Sequence, residues 1–274
     1  MKLSIGTAWE ETSAFLGKEA RLVTPVALAT FALPSMLVGW AYPSGGPTNA
    51  GGGGLLLLIA VLLVTMIGQM TIVLLVLGWS GSVGQAMAKA AQRVPTLFGA
   101  ALIVFLPLSL IAVIGLGVAL AGAGVTDPAT LTPKALLAIP SVWWISLLVA
   151  LLVIFLMVRL FPMSAVAAKE AIGPIKLLRR SWALTTGNGG RLLVLLLLLG
   201  IGGFILNAAV TMVAGSFAAL AIGAPKEFNL AALVVALVVA LVGGLVGALV
   251  SAVSAAMIGR VYAQLSVEPS VPKT

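Results

Sequence analysis

LLLLIAVLLVTMIGQMTIVLLVLGW, residues 55–79, contains no charged side chain. A helix needs about 20 apolar residues to cross a hydrocarbon core of roughly 30 Å, so this stretch is long enough to span a bilayer. Its apolar residues do not alternate with polar ones, as they would in a strand of a membrane β-barrel. The stretch therefore predicts a transmembrane helix.

Five further stretches have the same character. The chain is 61% hydrophobic and 8% charged, with a mean hydropathy of +1.23, whereas about a quarter of a soluble domain is charged. We therefore predict an all-α polytopic membrane helix bundle that forms one domain over residues 1–265, with a disordered cytoplasmic tail at 266–274. The predicted spans are residues 22–42, 55–79, 97–121, 141–162, 192–221 and 230–258.

Lysine and arginine are distributed unequally between the two sides of the predicted bundle. If both termini face one compartment, 13 of the 15 basic residues lie there, and the opposite loops hold only Lys134 and Lys226. Cytoplasmic loops of membrane proteins carry such an excess of basic residues. We therefore predict a multi-pass protein of the bacterial inner membrane with cytoplasmic N and C termini. Proximity to anionic lipid then explains the net charge of +8, and we predict no nucleic-acid partner.

Short segments before the first, third and fifth predicted spans place apolar residues at helical spacing, opposite charged ones. Such segments are typical of amphipathic helices that lie at the membrane interface. Their recurrence suggests an internal repeat of an interfacial helix followed by a two-span hairpin. The alternative is that loops on the cytoplasmic side produce such helices without any repeat. The apolar stripes are Ile5, Ala8, Trp9, Thr12, Phe15 and Leu16; Val83, Met87, Ala90, Ala91 and Val94; and Ile175, Leu178 and Trp182.

The third of these segments has the densest group of cations. Gly173-Pro174 is expected to start its helix, and the glycines and asparagine at 187–190 are expected to end it. Juxtamembrane cations attract anionic lipids, although the orientation of the chain alone also requires cations there. We expect five residues to contact lipid headgroups or a partner protein: Lys176, Arg179, Arg180, Trp182 and Arg191.

The same segment carries the pattern E-x-x-G-P…L-x-R-S-W-x-L-T-x-G, formed by Glu170, Gly173, Pro174, Leu178, Arg180, Ser181, Trp182, Leu184, Thr185 and Gly187. This pattern resembles the glycerophosphoryl diester phosphodiesterase membrane-domain family and the related YciC-like inner-membrane proteins. The resemblance implies a membrane domain, which in some relatives is joined to a catalytic barrel that uses histidine and metal-binding carboxylates. The chain has no histidine, so the resemblance does not carry phosphodiesterase activity over to it.

The inventory of reactive side chains is small, with no cysteine, no histidine and only seven acidic residues. Disulfides, thiolate or imidazole metal sites and nucleophiles activated by histidine are excluded. We therefore predict no catalytic residue, no metal, no cofactor and no enzymatic activity.

Three polar residues are candidates for a site within the membrane. Gln69 and Asn207 lie near the middle of the second and fifth predicted spans, and Arg159 is the charged residue inside a predicted span. They could line a polar path, but Gln69 and Asn207 could equally bond neighbouring helices. Arg159 could extend to the interface or pair with Glu170 or a lipid phosphate.

Small residues recur every four positions along the sixth predicted span, which allows another helix to approach closely. That helix could belong to the same chain or to a second copy. The face consists of Gly243, Gly247, Ser251 and Ala255, and Gly259 extends it.

These observations favour a non-enzymatic scaffold or accessory component that binds membrane lipids or partner membrane proteins. The alternative is a small transporter or lipid-translocating protein, in which Gln69 and Asn207 face a shared cavity.

Overall fold

The computed structural model describes residues 3–41, 51–125, 135–136, 138–221 and 230–266. Within these ranges the regular structure is helical, which confirms the predicted all-α bundle. Lys134, Lys226 and the predicted tail beyond Ser266 lie outside the described residues. The elements in chain order are α1 (Ile5–Lys18), α2 (Ala20–Ala27), a π-helical turn (Leu28–Ala32), α3 (Leu33–Ala41), α4 (Gly51–Val76), α5 (Val83–Gly122), α6 (Pro140–Leu160), α7 (Met163–Lys169), α8 (Pro174–Thr185), α9 (Gly189–Ala221) and α10 (Leu230–Ser266).

Within the part of the chain that the structure describes, six helical segments are long and apolar enough to cross a membrane, in agreement with the six predicted spans. The protein is therefore a multi-pass membrane protein. The spanning segments are Ala20–Val38, Gly53–Val76, Val83–Gly122, Pro140–Lys169, Gly189–Val213 and Leu237–Ser266.

The first span combines α2, the π-helical turn and α3 without an interruption. Pro34 has no backbone N–H and its ring would clash with the carbonyl one turn earlier, so the regular bonding pattern fails there. The backbone N–H of Leu33 bonds instead to the carbonyl of Leu28, one residue further back than in an α-helix. The span therefore stays helical across the proline.

The predicted amphipathic segment before the third span and the span itself form one helix. α5 is continuous over 40 residues and is about 60 Å long, roughly twice the thickness of a bilayer core. Ser82 and Gln85 cap its start, where each side chain bonds the backbone N–H of the other. Pro95 lies inside this helix and does not divide it.

α10 is the central helix of the bundle and contacts α1, the first span, α4, α7, α8 and α9. Its buried side faces α4 and the first span through small residues: Gly244, Ala248, Ala252, Ala255, Ala256 and Gly259. Most residues of this buried face come one position after those of the small-residue face predicted from the sequence. The predicted residues Gly243, Gly247 and Ser251 lie half-buried at the edge of the buried face. Ala255 and Gly259 belong to the predicted series but are used for packing within the chain.

Close approach of helices is also visible where α4 crosses the π-helical turn. A Cβ atom at Gly68 would overlap the Oγ1 and Cβ atoms of Thr30. Glycine at this position therefore allows the first span to lie directly on α4.

We expect Gly68→Ala to destabilise the protein, because the added methyl group must displace a buried side chain. Overpacking of this kind costs about 1–3 kcal/mol, which should lower the thermal midpoint of the full chain in detergent. The matched control is Gly202→Ala in α9, where an added Cβ meets no atom within 4 Å. That substitution should be neutral or stabilise the helix by up to about 1 kcal/mol. Equal midpoints for the two variants would contradict the close packing.

Candidate lipid-facing site at the basic end of the bundle

The charges of the protein are concentrated at one end of the bundle, which we call the basic end. It contains α1, α8 and the adjoining ends of the spans. The basic residues that the structure describes all lie at or near this end: Lys18, Arg21, Lys89, Arg93, Arg159, Lys169, Lys176, Arg179, Arg180, Arg191 and Arg260. The candidate lipid contacts predicted from the sequence therefore share one surface with most of the charged side chains.

α7 and α8 form the part of the basic end that carries the sequence motif. α7 is almost completely buried from Ser164 to Ala168, and an extended segment joins it to α8. Gly173 is the N-cap of α8 and Pro174 is its first residue, as the sequence predicted. Proline is favoured there because the first N–H groups of a helix have no partner within it.

One side of α8 is anchored to the end of α6. Leu177, Ser181 and Thr185 are fully buried on this side. The hydroxyl group of Ser181 donates to the carbonyl oxygen of Arg159 at 3.0 Å. The hydroxyl of Thr185 lies 3.4 Å from the same oxygen, but its one hydrogen has a closer acceptor in the carbonyl of Trp182, at 3.0 Å. The last carbonyls of a helix have no partner within it, so the bond from Ser181 satisfies a group that would otherwise be unpaired. Ser181 of the motif thus fixes α8 onto α6.

The side chain of Arg159 stacks on two aromatic rings. Its Cζ atom lies 5.5 Å from the ring centroid of Phe155 and 5.0 Å from that of Trp182, and the two rings meet edge to face at 5.6 Å. Cation–π contacts of this kind keep a guanidinium near an apolar surface. Arg159 therefore forms an aromatic and cationic patch with Trp182 rather than the pair with Glu170 that the sequence left open.

Glu170 is bound instead by two other side chains. Its Oε1 atom accepts from Nε of Arg180 at 3.1 Å and from the hydroxyl of Tyr262 at 3.1 Å. The carboxylate therefore joins the start of the α7–α8 connection to both α8 and α10. Sequence analysis did not identify Tyr262, which is 92 residues from Glu170.

The outer face of α8 presents its remaining cations. Lys176 and Arg179 are exposed, and neither has an ion-pair partner among the described residues. Arg180 is 45% exposed but already pairs with Glu170. Arg191 donates from Nη1 to the carbonyl of Leu3 at 2.7 Å, which ties the N-terminal segment to the start of α9. Of the predicted contacts, Lys176 and Arg179 are thus the cations least engaged within the protein.

The residues of the predicted polar path do not come together. Gln69 is half-buried and lines a cavity of about 770 Å³ whose other walls come from α5, α6, α7, α9 and α10. Those walls are mostly leucine, phenylalanine and other apolar residues. Asn207 does not line this cavity, since its side chain is exposed on the surface of α9. Arg159 lies at the end of α6 and faces Trp182.

Within the described ranges, the acidic side chains nowhere form a group of three or more that could hold a metal ion.

We expect Glu170→Ala to loosen α8, because it removes the acceptor of both Arg180 and Tyr262. Bonds to a charged group contribute about 1.5–3 kcal/mol when buried, and partial exposure of Arg180 reduces this to about 1 kcal/mol. Amide hydrogens of α8 should then exchange roughly fivefold faster. The control is Lys169→Ala, which removes an exposed neighbouring charge. Unchanged exchange in Glu170→Ala would show that the carboxylate does not hold α8.

No protein-family model, no curated protein and no solved structure matches this chain.

Proposed function

We propose that the protein is a non-enzymatic component of the bacterial inner membrane, with both termini in the cytoplasm. In this proposal it acts as a scaffold or accessory component, and α8 contacts anionic lipid headgroups or a partner membrane protein at the cytoplasmic surface.

The observation that carries the proposal is the division of α8 into three sides. Successive residues of an α-helix are turned by about 100°, so the buried side at Leu177 and Ser181 is flanked by two different exposed sides. One is apolar, with Ile175 61% exposed and Trp182 42% exposed. The other is basic and includes Lys176. A helix at a bilayer surface needs both, because the apolar side enters the lipid and the cations meet the headgroups.

The aromatic and cationic patch supports the same placement. Tryptophan is enriched at the boundary between hydrocarbon and headgroups, where its apolar ring and its N–H group are both accommodated. Trp182 contacts Phe155, which is exposed on α6 toward the outside of the bundle. The patch is thus suited to the boundary region, and it sets the depth at which α8 lies.

The transporter alternative has less support. A polar path requires polar groups that face one another along a route across the membrane. Gln69 faces a cavity with apolar walls, and Asn207 is exposed on the surface of α9. These positions favour the scaffold.

We also propose kinship with the membrane-domain family that the motif resembles. The support is that its polar residues act together: Glu170 binds Arg180, and Ser181 binds the end of α6. A motif that fixes an interfacial helix would be useful to any protein of that architecture.

We expect the double variant Lys176→Gln, Arg179→Gln to lose preference for anionic lipid. Each juxtamembrane cation contributes about 1 kcal/mol near an anionic surface, so occupancy by phosphatidylglycerol relative to phosphatidylcholine should fall by up to about 30-fold. The measurement is native mass spectrometry of the full chain in detergent with equal amounts of the two lipids.

The matched control is Arg21→Gln, Lys169→Gln, which removes the same charge from exposed positions at the same end but outside α8. It should reduce the preference much less. An equal loss in both double variants would show that total charge, not the face of α8, attracts the lipid.

A further inference from the structure

A second surface of the basic end lies away from α8, at a cavity of about 760 Å³. It lies where α1, the start of α2, the end of α4 and the end of α10 meet. Its volume is within the range of about 300–1,000 Å³ that is typical of small-molecule sites. Its charged lining residues are Glu11, Lys18, Glu19 and Arg260, and its apolar ones include Phe15, Leu22, Leu75, Val76 and Trp79.

The charged residues that line this cavity are of both signs, unlike those on the outer face of α8. Among the described residues, two carboxylates and two cations line it, and Lys89 lies beside it over the ring of Trp79. Arg260 and Glu11 form a loose ion pair, with 3.8 Å between Nη1 and Oε2. Lys18 and Glu19 have no ion-pair partner in the part of the chain that the structure describes. The cavity therefore offers both a donor group and an acceptor group to a ligand.

Arg260 is held in place but incompletely bonded. Its guanidinium lies over the ring of Phe15, with 5.8 Å from Cζ to the ring centroid. Its Nε–H group is buried and has no hydrogen-bond partner among the described residues. A buried donor without a partner is costly, and a guanidinium binds the oxygens of a phosphate group in a matching geometry. Arg260 is thus suited to bind a phosphate.

Glu19 provides the complementary acceptor. Its backbone ends α1, where its N–H bonds the carbonyl of Phe15, while its side chain makes no cap bond to α2. The carboxylate is half-buried at the junction of α1 with the first span. It is therefore free to accept hydrogen bonds from a cationic group in the cavity.

We propose that this cavity binds the headgroup of a zwitterionic phospholipid with a primary ammonium group. Arg260 and Lys18 bind the phosphate, and Glu19 binds the ammonium. Leu22 and Leu75 continue from the cavity into the first and second spans and contact the glycerol and the acyl chains. A lipid is favoured over a soluble phosphate ester because this apolar wall adjoins the charged part of the site, and Leu22 is 44% exposed.

A primary ammonium fits better than a trimethylammonium group. A trimethylammonium group has no N–H to donate to Glu19 and is usually bound on the face of an aromatic ring. Trp79 is the tryptophan of this cavity, and Nζ of Lys89 already lies 4.9 Å from its ring centroid. The site should therefore prefer phosphatidylethanolamine to phosphatidylcholine. This inference is independent of the proposed function, which concerns α8 and net negative charge.

The test is native mass spectrometry of the full chain in detergent with phosphatidylethanolamine, phosphatidylcholine and phosphatidylglycerol in equal amounts. Glu19→Gln should lower occupancy by phosphatidylethanolamine about tenfold, because a charge-assisted bond is lost, and should leave phosphatidylglycerol unchanged. Arg260→Gln should lower occupancy by phosphatidylethanolamine at least as much. Arg260→Lys keeps the positive charge and should lower this occupancy less than Arg260→Gln does. The control Lys169→Gln, at an exposed position outside both α8 and the cavity, should leave occupancy by phosphatidylethanolamine unchanged.

Further results distinguish a lipid from a soluble phosphate ester as the ligand. They also distinguish this proposal from the role proposed for α8. Soluble glycerophosphoethanolamine should fail to displace the lipid at equal concentration, and equal competition would overturn the assignment to a lipid. Unchanged occupancy by phosphatidylethanolamine in Glu19→Gln would overturn the proposed site. Occupancy by phosphatidylcholine equal to that by phosphatidylethanolamine would also overturn it. If Glu19→Gln acts as expected while Lys176→Gln, Arg179→Gln changes nothing, only the role proposed for α8 is wrong.

Discussion

Close contact between α10, α4 and the first span is the constraint from which the rest of the arrangement follows. Lipid chains are as apolar as the helices, so burial of apolar surface does not drive helices together inside a bilayer, and dense packing must do so. An added Cβ at Gly244 would lie 3.0 Å from Cγ of Met36 and 3.3 Å from the carbonyl oxygen of Ala32. Because these helices cannot separate without losing this packing, their ends are fixed relative to one another.

The fixed helix ends bring the polar groups of the basic end into contact. Glu170 accepts from α8 and α10 together, and the carbonyl of Arg159 accepts from the hydroxyl of Ser181 in α8. Arg180 and Arg191, which the sequence predicted as contacts for lipid or a partner protein, thus bond other groups of the protein. The surface that remains has two parts with different chemistry. α8 presents unpaired positive charge, whereas the cavity beside Arg260 presents charges of both signs.

Much of the fold and a smaller part of the candidate site could be predicted from the sequence. The spans follow from long uncharged runs, because the cost of burying charge in lipid depends mainly on the residues of each segment. The start of α8 follows from Gly173-Pro174 for a similarly local reason. The continuity of α5 through Pro95 was not predicted; a proline removes one hydrogen bond of a helix, and neighbouring groups can satisfy the freed carbonyl. The buried face of α10 lies one position along the chain from the predicted one, because composition does not define which side of an apolar helix is buried.

The sequence alone was sufficient to predict that the chain is helical, that it has six spans, and that cations are concentrated in particular loops. Each of these properties depends on residues close together along the chain. The contacts of the site needed the folded bundle. Glu170 and Tyr262 meet across 92 residues, and Arg260 reaches Glu11 and Phe15 from the opposite end of the chain. Such pairs depend on the crossing angles and axial positions of packed helices, which no local pattern encodes.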